Sequence, residues 1–200
     1  MSTKKAGLPI GRFVIVGLLL ALDLWSKQGV FAWLDGNPEG MVVDAHRHPR
    51  YPLVGEWLTM MLSYNPGAAW GALRDYPHFL VGGRIIAVLF LSWLVIRTER
   101  GTGVMLPALV LVLAGALGNL HDNLFLEPMG DHPYGAVRDF IDVYFGPMGW
   151  DYHFPTFNVA DSCITCGAAL LLFSGLFGQK VAVETDSDSE PGETQETPAA

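Results

Sequence analysis

Residues 137–164 read VRDFIDVYFGPMGWDYHFPTFNVADSCI, and they place two carboxylates, Asp139 and Asp161, in apolar surroundings. After Asp161 the chain is apolar almost without interruption to Phe177, which is typical of a membrane-spanning segment. A carboxylate at the start of such a segment is costly in lipid, so its presence indicates a functional group. Glycine and proline residues between the two aspartates allow the chain to turn back. We therefore expect Asp139 and Asp161 to lie close together.

The composition is typical of a membrane protein. Of the 200 residues, 50% are hydrophobic and 16% are charged, and the mean hydropathy is +0.31. The net charge of −8 does not indicate a basic partner, because many of the acidic residues lie in residues 181–200. This tail is rich in proline, serine and threonine, and we expect it to be disordered and cytoplasmic. The sequence has no basic patch with interleaved aromatic residues, which argues against a nucleic-acid partner.

Four apolar segments predict four membrane spans, at about residues 11–33, 79–97, 104–123 and 157–177, within a membrane domain of residues 1–180. The predicted fold class is therefore an all-α membrane protein. Basic residues mark the N-terminus, the 97–100 turn and Lys180, so both termini are predicted to be cytoplasmic. Residues 35–78 and 124–156 then face the outside. A cleaved signal peptide is the alternative for the N-terminal segment.

The first outer segment is predicted to combine a polar loop with a short strand. Residues 35–56 are punctuated by proline and glycine, so we predict a loop outside the bilayer. Residues 57–64 predict a strand that ends at the turn Asn65-Pro66-Gly67. Small residues at 67–71 would let the backbone approach a ligand closely.

Polar residues within the spans are predicted to face the interior of the helix bundle. Asp23, Ser26 and Lys27 have helical i, i+3, i+4 spacing, so Asp23 and Lys27 can pair. A lysine that extends to the membrane surface is the alternative. Small residues at 114–118 offer a face where another helix can come close. The polar residues that follow this face are Asn119, His121, Asp122 and Asn123.

Two neighbouring carboxylates supply an acid and a base together, because two aspartates about 3 Å apart cannot both ionise and share one proton. The ionised member accepts a proton from water that attacks a carbonyl, and the protonated member donates to the carbonyl oxygen. If the flanking segments are helical, Asn158 shares a face with Asp161, and Asp142 shares one with Asp139. Asp142 is therefore a rival for the pair. Its alternative role is a water-exposed carboxylate at the membrane surface.

Other kinds of chemistry have weaker support in the sequence. Ser162 lacks the GxSxG context of a serine nucleophile. Cys163 and Cys166 form a CxxC pair without the βαβ context of a redox motif and without two further metal ligands, so we interpret both as small helix residues. We expect neither a metal nor a cofactor.

Five blocks of sequence together resemble the bacterial lipoprotein signal peptidases, also called signal peptidase II, over about residues 10–178. The blocks are DLWSK at 23–27, NPGAAWG at 65–71, GALGNLHD at 115–122, VRDFID at 137–142 and FNVADS at 157–162. The resemblance implies a four-span aspartic endopeptidase of the bacterial inner membrane, with a small extracytoplasmic sheet and a short helix that cover the site. Its substrate would be a diacylglyceryl-modified prolipoprotein, cut just before the lipidated cysteine. We expect a monomer in contact with membrane lipid.

The resemblance also implies roles for individual residues. Asp139 and Asp161 match the catalytic pair. The positions that match the substrate site, where the cyclic peptide antibiotic globomycin is also expected to bind, are Asn65, Gly67, Asn119 and Asn158. The supporting positions are Asp23, Lys27, Asp122 and Asn123.

One residue departs from the family pattern, and two other classes of function stay open. The family commonly has arginine where this chain has Asn123, which puts a charged contact to the substrate backbone in question. Arg138 and His121 are the candidate replacements. The first alternative function is a small proton- or ion-coupled transporter whose relay would be Asp23, Asp122, Asp139 and Asp161. The second is a membrane scaffold in which the carboxylates pair with Lys27 or Arg138.

Overall fold

Four apolar helices form the body of the part of the protein that the structure describes. The computed structural model describes residues 10–43, 48–68, 71–99 and 102–177. The helices are α1 (Ile10–Gly36), α2 (Pro77–Arg97), α3 (Met105–Phe125) and α4 (Val159–Phe177). Within these described ranges, α1, α2 and α3 are long and apolar enough to cross a membrane, whereas the apolar stretch of α4, Val159–Gly175, is shorter. The count of four spans therefore stays a prediction.

Large apolar side chains cover the outer surface of the helices. Ile86 and Leu89 of α2 are 68% and 65% exposed, and Leu172 of α4 is 68% exposed. Exposing so much apolar surface to water would be unfavourable for a monomer, whereas lipid chains solvate such a surface without cost. The exposed faces of these helices are thus consistent with a membrane protein.

Glycine residues allow α3 to pack closely against the backbone of α4 and against the Asp23 side chain of α1. A Cβ atom on Gly115 would lie 2.3 Å from the carbonyl oxygen of Ala160, and one on Gly118 would lie 2.3 Å from Oδ2 of Asp23. On α4, a Cβ on Gly167 would lie 2.7 Å from the carbonyl oxygen of Ala108. The predicted close approach of another helix to residues 114–118 is confirmed. This contact sets how near the start of α4 lies to α3.

We expect the substitution Gly115→Ala to destabilise the protein, because its methyl group would meet a backbone oxygen that cannot move away without shifting α4. The expected loss is about 1–3 kcal/mol of unfolding free energy, as for other overpacked contacts. Gly17→Ala in α1 is the matched control, since a Cβ there meets nothing within 4 Å. Thermal unfolding in detergent should give a lower Tm for Gly115→Ala alone. Equal Tm values for the two variants would contradict the close contact.

In the described ranges, a five-stranded antiparallel sheet packs at one end of the helices, in the order β1-β2-β3-β4-β5. The strands are β1 (Val42–Val43), β2 (Pro49–Val54), β3 (Leu58–Asn65), β4 (Val137–Tyr144) and β5 (His153–Phe157). The strand predicted at residues 57–64 is confirmed as β3. In the central pair, Ser63 of β3 lies opposite Asp139 of β4, and Thr59 lies opposite Asp142. The sheet thus carries Asp139 to the end of the bundle at which α4 begins.

Two predictions about this region are wrong. Residues 35–56 were predicted to form a loop, but they include β1 and β2. Proline at 49 and 52 concealed β2, because proline lacks an amide donor and usually argues against a paired strand. The helix considered for Asp139 and Asp142 is also wrong, because both residues lie on strand β4. Side chains three apart on a strand point to opposite faces, so the two carboxylates separate.

Some predictions fall partly or wholly outside the described residues. The short described helical segments are 3-10 turns at Pro38–Gly40 and Gly146–Met148. Residues 69–70, in the connection before α2, lie outside the described ranges, so the short covering helix stays a prediction. The acidic tail at 181–200 also lies outside them.

Candidate functional site

Asp161 is fixed at the N-terminus of α4 by a reciprocal cap with Asn158. The backbone N–H of Asp161 donates to Oδ1 of Asn158 at 2.9 Å, and the backbone N–H of Asn158 donates to Oδ2 of Asp161 at 3.3 Å. This is the geometry of a capping box, in which each side chain satisfies a backbone donor that the helix leaves unpaired. The N-terminal end of a helix also favours negative charge. The same contacts that start α4 therefore orient the carboxylate.

Asp139 lies on β4, and the side chain of Asn158 connects it to Asp161. Nδ2 of Asn158 donates to Oδ1 of Asp139 at 2.6 Å, and Nδ2 of Asn65 donates to Oδ2 at 3.2 Å. Asp139 is 2% exposed. Burial, and then the negative charge of Asp161, raise the pKa of Asp139 to about 7, against the opposing effect of the two amide hydrogen bonds. Asp139 is therefore placed to hold a proton at neutral pH.

Both aspartates line one cavity of about 630 Å³. Its walls come from α2, α3, α4, β5 and the ends of β3 and β4. Most of the wall surface is apolar, and Asn65 and Asn119 contact the two carboxylates there, which is the usual character of a ligand site. The polar and charged residues that line it are Asn65, Arg84, Asn119, Asp139, Thr156, Asp161, Ser162 and Thr165.

A buried chain of polar contacts reaches Asp161 from α1. Nδ2 of Asn119 donates to Oδ1 of Asp161 at 2.7 Å, and Nζ of Lys27 donates to Oδ1 of Asn119 at 3.0 Å. Lys27 is fully buried and pairs with Asp23 at 2.8 Å, which confirms the predicted i, i+4 pair. Asp23 in turn accepts the backbone N–H of Ala160 at 2.8 Å. These contacts connect α1, α3 and the start of α4 just behind the carboxylates.

Asp122 connects α3 to β4 through Arg138. Nη2 of Arg138 donates to Oδ1 of Asp122 at 2.8 Å, and Nε and the backbone N–H of Arg138 donate to Oδ2 at 3.3 and 3.1 Å. Nη1 of Arg138 donates to Oε1 of Gln28 at 3.2 Å. Lys27 also lies 3.5 Å from Asp122. Arg138 thus precedes Asp139 on β4, is hydrogen-bonded to Asp122 and Gln28, and does not line the cavity of the two aspartates.

The turn after β3 forms one side of the site. The backbone N–H of Gly67 donates to Oδ1 of Asn65 at 3.0 Å, so Asn65 contacts both this turn and Asp139. A Cβ on Gly67 would lie 2.7 Å from the carbonyl carbon of Gly71, which leaves no space for a larger residue. The substrate-site residues expected from the sequence thus fall into two groups. Asn65, Asn119 and Asn158 contact the aspartates directly, and Gly67 shapes the turn.

Arg84 of α2 is a site residue that sequence reasoning did not identify. Its guanidinium contacts Oδ1 of Asn123 through Nη1 and donates to the carbonyl oxygen of Gly67 through Nη2 at 3.2 Å. Nδ2 of Asn123 donates to the carbonyl oxygen of Gly135 at 2.7 Å, which fixes its orientation. An arginine in the interior of an otherwise apolar span was the available signal, since such charges usually face a polar interior.

Asp142 is absent from the cavity lining and has its own partners on the other face of the sheet. It is 1% exposed, contacts the guanidinium of Arg50, and accepts the hydroxyl of Thr59 at 2.9 Å. Nδ1 of His153 lies 3.3 Å from its carboxylate. The interpretation of Asp142 as a water-exposed carboxylate is therefore wrong. Alternation on β4 directs it away from Asp139, into a buried charge cluster.

A second cavity of about 640 Å³ lies between α1, β3 and the segment that follows α3. None of the catalytic, substrate-site or supporting residues expected from the sequence lines it, but Arg138, a candidate replacement for the family's arginine, does. Within the described parts of the chain, no three His, Cys, Asp or Glu side chains are grouped so that they would hold a metal ion.

Comparison with known proteins gives a consistent set of similarities. The family described as "Signal peptidase (SPase) II" matches residues 15–177. A lipoprotein signal peptidase of Acinetobacter baylyi is 33% identical over 173 residues, which cover 84% of this chain and 82% of that protein. One from Francisella tularensis subsp. novicida is 30% identical over 173 residues, which cover 84% and 92%. A bacterial membrane enzyme solved by the in meso method at 2.3 Å aligns with a TM-score of 0.66 and 26% identity, covering 90% of this chain and 96% of that one.

Proposed function

Because the chain belongs to the signal peptidase II family, a family of bacterial membrane proteases, we propose that it is an aspartic endopeptidase that removes the signal peptide from diacylglyceryl-modified prolipoproteins. The observation that carries the aspartic mechanism is the connection of Asp139 and Asp161 through Asn158 at a single cavity. We propose cleavage just before the lipidated cysteine, at the bond held beside these carboxylates.

The proposed reaction begins with Asp139 protonated and Asp161 ionised. Asp161 takes a proton from water as the water oxygen bonds to the carbonyl carbon of the scissile amide, while Asp139 gives its proton to the carbonyl oxygen. The resulting diol then collapses. The carbon–nitrogen bond breaks as a proton passes from the Asp161 carboxyl to the departing amine of the cysteine, and Asp139 recovers a proton from a diol hydroxyl. The products are a free signal-peptide carboxylate and a new N-terminal amine.

The asparagine side chains would keep the two carboxylates in this arrangement throughout the reaction. Asn158 contacts both aspartates, Asn119 donates to Asp161, and Asn65 donates to Asp139. Groups held by such contacts need little reorganisation when charge moves in the transition state. The remaining edges of the asparagines and the backbone of the Gly67 turn are available for an extended peptide.

We propose that the site lies near the extracytoplasmic face of the inner membrane, with both termini in the cytoplasm and the chain acting as a monomer in contact with lipid. The sheet and both aspartates lie at one end of the helices, whereas Arg12 and Arg97 lie at the other end, which the positive-inside tendency assigns to the cytoplasm. Substituted-cysteine labelling from outside cells tests it. Exposed residues such as Asp75 should be labelled as cysteine variants, and residues after α4 should not.

Cleavage in the presence and absence of globomycin is the direct test of the proposed activity. Purified protein in lipid or detergent should convert a diacylglyceryl-prolipoprotein to the mature form, and globomycin should block the conversion by occupying the same cavity. No cleavage by folded wild-type protein would overturn the proposal. Proton or ion flux in liposomes without any cleavage would instead favour the transporter.

The pH dependence of cleavage should show an alkaline limit near the pKa of Asp139, which is raised to about 7. As the pH rises through this value, Asp139 loses the proton that it must donate, and kcat/KM should fall about tenfold per pH unit. In Asn65→Ala, the loss of a hydrogen bond that lowers the pKa of Asp139 should move this limit to higher pH. An alkaline limit that is absent, or that moves to lower pH in the variant, would argue against Asp139 as the acid.

A further inference from the structure

Among the described residues that line the cavity of the two aspartates, Arg84 is the single cation. It lies in the first half of α2, where its neighbours along the helix are apolar or glycine. The other basic groups near the site are engaged elsewhere: Lys27 is enclosed by Asp23 and Asn119, and Arg138 is bound to Asp122 and Gln28. Of the described residues, Arg84 therefore supplies the positive charge within reach of a ligand in this cavity.

The contacts of Arg84 orient its guanidinium without using all of its donors. Guanidinium has five N–H groups and no acceptor. Its contacts with the described residues, to Oδ1 of Asn123 and to the carbonyl oxygen of Gly67, use one N–H on each terminal nitrogen. Both contacts hold the plane of the group at the cavity wall, between the Gly67 turn and α3. The remaining donors are available to an acceptor that enters the cavity.

Charge balance favours a neutral acceptor as the partner of Arg84. The guanidinium is close enough to Asp161 and Asp139 to interact with both electrostatically. A carboxylate pair that shares one proton carries a single negative charge, which Arg84 offsets across the cavity. A second anion in the cavity would gain little binding free energy, because the carboxylate pair already offsets the charge of Arg84. A peptide carbonyl directs its partially negative oxygen towards the guanidinium and leaves the net charge of the cavity unchanged.

We propose that Arg84 is the substrate-binding cation of this protease, and that it donates hydrogen bonds to backbone carbonyl oxygens of the prolipoprotein segment that lies beside Asp139 and Asp161. Asn123 is then the residue that orients Arg84, since its side-chain oxygen accepts from the guanidinium and its amide is fixed on Gly135. This inference rests on the proposed function. It assigns the charged substrate contact to α2 and leaves position 123 with a neutral supporting residue.

Moving the charge between the facing helices distinguishes a binding role from a purely structural one. Arg84→Gln removes the cation, and the double variant Arg84→Gln/Asn123→Arg returns it to the cavity from α3. Arg84→Gln should raise KM for prolipoprotein about 10- to 100-fold with a smaller change in kcat, as expected for the loss of a charged hydrogen bond made in the bound state. The double variant should recover most of this loss. Arg74→Gln, an exposed arginine in the connection before α2, is the control and should leave KM unchanged.

Binding measured without turnover separates this inference from the proposed activity. Affinity for intact diacylglyceryl-prolipoprotein is compared in Asp161→Asn protein with and without Arg84→Gln. If Arg84→Gln weakens the affinity about tenfold or more and Asn123→Arg restores it, the assignment is supported. This holds even if the wild type does not cleave the substrate. Equal affinities would overturn it while leaving a cleaving wild-type enzyme intact. The assignment would also be overturned if the affinity falls only in proportion to the amount of folded protein lost and Asn123→Arg does not restore it.

Discussion

Asp139→Asn and Asp161→Asn should each lower kcat/KM for prolipoprotein cleavage by about a thousandfold or more while leaving the protein folded. Asparagine keeps the shape of the side chain but can neither accept a proton from water nor donate one as a carboxylic acid, and positioned proton transfer contributes about 10²–10⁴-fold at each of the two roles. Thermal unfolding should change little, because the contacts of both aspartates are to neutral amides and backbone groups that an amide can partly replace. Cleavage rates normalised to folded protein measure this effect.

Asp142→Asn is the matched control for these variants. Asp142 lies on the same strand as Asp139, three residues away, but it contacts Arg50, Thr59 and His153 and does not line the cavity. Its substitution should lower the stability of the sheet by disturbing a buried ion pair, yet cleavage per folded molecule should remain. If Asp142→Asn abolished cleavage and Asp139→Asn did not, the assignment of the catalytic pair would be wrong.

Lys27→Met should have the largest effect on stability, a loss of about 3–5 kcal/mol in unfolding free energy. Lys27 is fully buried, pairs with Asp23 at 2.8 Å and donates to Asn119 at 3.0 Å. Without it, the buried charge of Asp23 has no cation, whereas Asp122 still has Arg138. Chemical or thermal unfolding in detergent, followed by circular dichroism, measures the loss.

A double variant tests whether the uncompensated charge is the cause. Lys27→Met/Asp23→Asn removes both members of the pair and should be more stable than Lys27→Met alone, because no unpaired carboxylate remains buried. The amide can still accept the backbone N–H of Ala160. A double variant that is no more stable than Lys27→Met would mean that packing of the lysine side chain, and not its charge, supports this part of the bundle.

The helices could be predicted because each is a long apolar run, and the small-residue face at 114–118 could be predicted because only such residues let two backbones meet. The sheet could be predicted only in part. Residues 57–64 have strand composition, but the two prolines of β2 conceal its pairing. The spacing of Asp139 and Asp142 is compatible with a helix, and the choice of strand depends on pairing with β3 and β5, which are distant in sequence.

The part of the site that could be predicted consists of residues that are unusual at their own position in the sequence. A carboxylate at the start of an apolar run stands out, so the sequence alone singles out Asp161, whereas the roles predicted for the asparagines rest on the resemblance to the family. The burial of Asp142 was missed because it depends on Arg50 and His153, which come from other strands. Arg84 was missed because nothing along the chain relates it to Asn123, and their contact exists only after α2 and α3 pack.

The most direct test of the central claim is mass analysis of a purified diacylglyceryl-prolipoprotein after incubation with purified protein in water enriched in ¹⁸O. The wild type should yield a mature lipoprotein that begins at the lipidated cysteine, and the new carboxylate of the released signal peptide should contain the ¹⁸O label. Asp139→Asn and Asp161→Asn, folded to the same extent, should leave the substrate intact. Cleavage at that bond by either aspartate variant at the wild-type rate would contradict the account.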